Sequence, residues 1–148
     1  VSESIQSLIE RVEKCAGPDR EIDVLLFAID RPDFYAQCSR NWEDFLPIKP
    51  SDVPSIRTRE AYIEAHAEMY TASIDAALAL VERKLIDPHF SLSGPAKYLN
   101  IPSPLPNYWW AEIIHGKLAP YIGKRGWGAT APLALLAALL RALESPNA

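Results

Sequence analysis

Cysteine is nearly missing from this chain. Its two thiols, Cys15 and Cys38, are too few and too widely spaced for a disulfide framework or a metal-binding pattern, and they read as thiols of a reducing compartment. Histidine is equally sparse: His66, His89 and His115 share no H-x-x-x-H or Cys/His spacing, so no metal is expected. No basic segment followed by an apolar stretch opens the sequence, which predicts a chain that is not secreted. The longest apolar run, residues 131–140, falls short of the about 20 residues a bilayer span needs, so no membrane association is expected. Positive charge is also in deficit, with 15 Lys and Arg against 19 Asp and Glu and a net charge of −4. Nucleic-acid binders are normally basic enough to neutralise several phosphates, so nucleic acid is disfavoured as a partner. No Walker sequence, G-x-G-x-x-G turn or G-x-S-x-G elbow is present, and Ser91 and Ser93 lack the latter context. No catalytic residue and no cofactor is therefore assigned, and the expectation is a chain that is not an enzyme.

What is present suits a globular fold. At 148 residues and 49% apolar composition, the chain is the size of a single domain, 1–148, with a substantial core. Ile5, Leu8, Ile9 and Val12 recur at helical spacing, and Gly17-Pro18 stops that helix. Asp19 then caps a second helix whose stripe is Ile22, Leu25, Leu26 and Ile29, ended by Arg31-Pro32. Residues 32–57 carry Pro32, Pro47, Pro50 and Pro54 among Phe34, Tyr35, Trp42, Phe45 and Leu46, which predicts an ordered, irregular insertion pinning its aromatics to the core. Helical residues resume at Arg59, as one bent helix or two, with Thr71 as a candidate N-cap and Ile74, Ala77, Leu78 and Val81 on one face.

Prolines fragment a second irregular insertion, 87–107, and leave residues 90–93 as a short strand confined to an edge. Residues 109–115 form the strongest strand candidate. A third strand is expected through 119–122 or through 125–127. The last element, from Pro132 to about Glu144, is a helix apolar almost all round. Its leucines should pack on the sheet through one face, with Leu135 and Leu139 covered by another helix or a second subunit. That helix motivates an expected homodimer; the opposing expectation has the long loops covering it within one chain. The order α-α-loop-α-β-β-(β)-α predicts an α+β fold in which about three antiparallel strands are sandwiched by helices.

Three blocks carry a family resemblance. They are residues 8–13 (LIERVE) followed by residues 17–23 (GPDREID), residues 70–81 (YTASIDAALALV), and Trp110-Ala111-Glu112 followed by residues 128–135 (GATAPLAL). In order and content they resemble the phage ABA sandwich proteins of phages and prophages, over about half the chain, with departures at 34–68 and 87–107. The resemblance implies a small α/β sandwich encoded by a phage or prophage, cytoplasmic in a bacterial host, with no assigned activity and no functional residues to transfer. The helix–strands–helix tail also loosely resembles the double-stranded-RNA-binding fold.

Among candidate chemical groups, Asp19 and Asp23 share a helical face, where paired carboxylates can hold a metal or do acid–base work. Acids in a first helical turn also simply favour the helix dipole, and that is the reading preferred. Gly123-Lys124-Arg125-Gly126-Trp127-Gly128 precedes a helix and offers an anion nest with two cations; a tight β-to-α connection requiring small residues is the simpler reading. Trp109, Trp110 and Trp127 are the sharpest candidates. Adjacent strand residues face opposite ways, so Trp109 and Trp110 enter different layers, with burial of both rings expected and an exposed contact face as the alternative. The site expected for a ligand or partner is Trp109, Trp110, Lys124, Arg125 and Trp127. The function expected is that of a phage or prophage accessory protein binding a host or phage protein or a small ligand. A nucleic-acid-binding module and an enzyme are the alternatives.

Overall fold

The computed structural model describes residues 4–41, 59–95, 107–116 and 123–144. In chain order the elements are helices α1 (Ile5–Lys14), α2 (Arg20–Asp30), α3 (Pro32–Asn41), α4 (Arg59–His66) and α5 (Ile74–Lys84), strands β1 (His89–Ser93), β2 (Trp109–Ile114) and β3 (Lys124–Gly128), and helix α6 (Ala131–Glu144). The fold is α+β, with a three-stranded antiparallel sheet packed with helices, in the expected order. The described residues divide into two compact units, one built from α1, α5, the sheet and α6, the other from α2, α3 and α4.

In the first unit, Ser4 caps α1 by accepting a hydrogen bond from the Ser7 backbone N–H at 3.1 Å, and Leu8, Ile9 and Val12 are buried as their spacing predicts. Ser73, not Thr71, caps α5, accepting from the Ala76 N–H at 3.2 Å. Thr71 is buried and its hydroxyl instead takes the Asp19 N–H at 2.8 Å, a long-range tie that local spacing cannot reveal. The sheet order is β1-β2-β3, both pairings antiparallel. The third strand, 124–128, takes in the 125–127 alternative; residues 119–122 lie outside the described residues.

Helix α6 packs across this sheet and against α1 and α5. Leu133 through Leu140 are all 0% exposed, including Leu135 and Leu139. The chain itself therefore buries the helix whose apolar surface had suggested a second subunit, and that argument for a homodimer falls away. Arg141, which follows this stretch, pairs with Glu13 of α1 and donates to the Arg125 carbonyl of β3 at 2.9 Å. One guanidinium thus ties helix, helix and strand together.

The second unit corrects the reading of residues 32–41, which form a helix instead of an irregular segment. Proline is tolerated in the first turn of a helix, where its missing N–H would have no intrahelical partner, and Asp33 beside it favours the dipole. Pro32 thus follows the end of one helix and begins the next. Residues 59–84 form two helices. The buried stripe of α2 is also displaced from the expected one: Ile22 and Leu26 are buried, but with Asp23, Phe27 and Asp30, while Leu25 and Ile29 are half-buried. Phe27 sits edge-on to Phe34 at 5.7 Å and to Tyr35 at 6.4 Å, and Phe34 meets His66 at 5.5 Å. The two α3 aromatics do pin that segment to its neighbours. Trp42, Phe45 and Leu46 lie outside the described residues.

Candidate functional site

A strand presents alternate side chains to opposite faces, and the register sorts this sheet cleanly. Ala111 and Ile113 of β2 are fully buried, and Gly126 and Gly128 of β3 lie against α6. A Cβ on Gly126 would stand 2.2 Å from the Ala138 nitrogen and 2.5 Å from the Ala134 oxygen. Gly126 and Gly128 are therefore strand positions that let a helix backbone approach, while Gly123 lies against the Glu112 side chain. Residues 124–128 are strand, not the expected β-to-α connection or anion nest ahead of a helix.

The opposite face of the sheet holds the other register set. Trp110 pairs with Trp127, and Glu112 pairs with Arg125. Across β1, Ser93 stands beside Trp110, Ser91 beside Glu112 and His89 beside Ile114. The rings of Trp110 and Trp127 are 6.3 Å apart at 56°, and the Arg125 guanidinium lies 5.6 Å from the Trp110 ring centre. That guanidinium is held by Glu112 at 2.9 Å while remaining 65% exposed. Glu112 is only 23% exposed, since its side chain lies over Gly123, where a Cβ would come within 2.5 Å of it. The assembly is an indole pair with a stacked cation, held in place by a carboxylate. It offers flat apolar surface and hydrogen-bond donors.

Of the five residues expected at the site, the structure brings together Trp110, Arg125 and Trp127. Lys124 belongs to the register set of Gly126 and Gly128, on the helix side, because it alternates with Arg125. Trp109 is likewise on the helix side, opposite Gly128, with Gly94 close against its ring. Neither Trp109 nor Trp110 is fully buried; both are half-buried, contrary to the expected burial in two core layers. The reason is that Trp109 is the first residue of β2 and that Trp110 faces away from α6. Sequence reading missed Glu112 as a member, although its two-residue spacing from Trp110 already places both on one face.

Of the candidate carboxylates Asp19 and Asp23, the second is engaged by a cation of its own helix. Asp23 is buried and receives Arg20 at 2.9 Å, and the same guanidinium donates to the carbonyls of Glu64, Ala67 and Glu68 at the end of α4. Both charges serve to close a helix terminus whose last carbonyls need donors. Each histidine has its own surroundings: His66 against Phe34, His89 exposed beside Asp87 at 3.9 Å, and His115 past the end of β2. Among the described residues no three His, Cys, Asp or Glu side chains gather as metal ligands, and no helix is long and apolar enough to cross a membrane. Comparison with protein-family models, curated proteins and solved structures returned no match.

Proposed function

We propose that the chain is a non-catalytic binding protein that engages a protein partner through the face of the sheet bearing Trp110, Trp127 and Arg125. The observation that carries this reading is the convergence of two indoles and a stacked guanidinium on one sheet face. Tryptophan and arginine are the residues over-represented among interface positions that dominate binding energy. The Glu112–Arg125 bridge supports it further, because a cation fixed in place loses less side-chain freedom on binding. The same bridge, with the net charge of −4, disfavours a phosphate backbone as the partner. The three blocks resembling phage ABA sandwich proteins support placing this activity in a phage or prophage accessory protein, cytoplasmic in a bacterial host and acting on a host or phage protein.

Affinity capture from host lysate with the intact chain, compared with Trp127→Ala and Arg125→Ala variants shown folded by circular dichroism, tests the reading. The expected result is a partner retained by the parent chain and lost from both variants. Undiminished capture by both variants would overturn it. A second reading, stacking of single-stranded nucleic acid, has one observation in its favour: indole faces on an open strand surface are the platform such binding uses.

A further inference from the structure

We draw no further inference here: the strongest candidate, the apolar patch of Ile86 and Phe90 exposed along the β1 edge of the sheet, carries nothing, because nothing in the structure shows what covers it.

Discussion

Gly126 and Gly17 show how differently one residue type behaves in this chain. Gly126 faces α6, where backbone atoms of Ala134, Ala137 and Ala138 stand within 2.7 Å of the place a Cβ would take. Backbone on a buried helix has little room to retreat, so Gly126→Ala is expected to destabilise by about 1–3 kcal/mol or more through overpacking. Gly17, past the end of α1, has nothing within 4 Å. Gly17→Ala is expected to leave stability unchanged or raise it by about 0.4–1 kcal/mol through the unfolded chain. Urea denaturation midpoints of the two variants check the contrast, and equal losses would show that the sheet does not press on α6. The same reasoning explains why Arg125 and Lys124, neighbours in sequence, have different fates. One stacks on Trp110 and pairs with Glu112; the other belongs to the helix-facing set.

At the scale of elements, α6 organises its unit. The helix is long enough to touch all three strands, and α1 and α5 pack on it as well. Nine residues from Leu133 to Ala142 have no accessible surface beyond a trace. Leu136→Ala should therefore cost about 2–5 kcal/mol, the range for truncating a fully buried leucine. Ile86→Ala, at a position 72% exposed, should stay within about 0.5 kcal/mol. Thermal or urea unfolding measures both; a loss under about 1 kcal/mol at Leu136 would show a core that collapses into the space left behind. In the other unit, Arg20 does for α4 what Arg141 does for β3, supplying donors to carbonyls that the element's own geometry leaves without partners.

For the molecule as a whole, charge bears on which partners are expected. With a net charge of −4 and its site cation already bridged to a carboxylate, the chain releases few counterions from a phosphate backbone. Duplex RNA, duplex DNA and single strands are all expected to bind more weakly than about 1 μM at physiological salt, with any residual affinity falling as salt is raised. Fluorescence anisotropy across a salt series reads this directly. Sub-micromolar affinity that persists at physiological salt would displace the protein-partner reading in favour of base stacking on Trp110 and Trp127.

Periodicity made the helices legible in the sequence: α1, the position of α2 and the apolar character of α6 follow from spacing alone, because a helix side chain's environment repeats every three to four residues. Trp109 to Ile114 was legible as a strand for a similar reason, and strand alternation already separated Trp109 from Trp110. Local pattern could not say which of those two indoles turns away from α6, nor that Trp127 stands opposite Trp110, because strand register joins residues far apart in sequence. It could not show that Pro32 opens a helix, since proline marks a boundary without saying on which side of it helix lies. Nor could it find Thr71 bound to Asp19 across 52 residues, or Arg141 reaching Glu13 across 128. The sequence by itself determined the elements and the apolar mass they must bury; the tertiary structure alone decided which polar and aromatic side chains would meet, because those meetings depend on pairing and packing between distant segments.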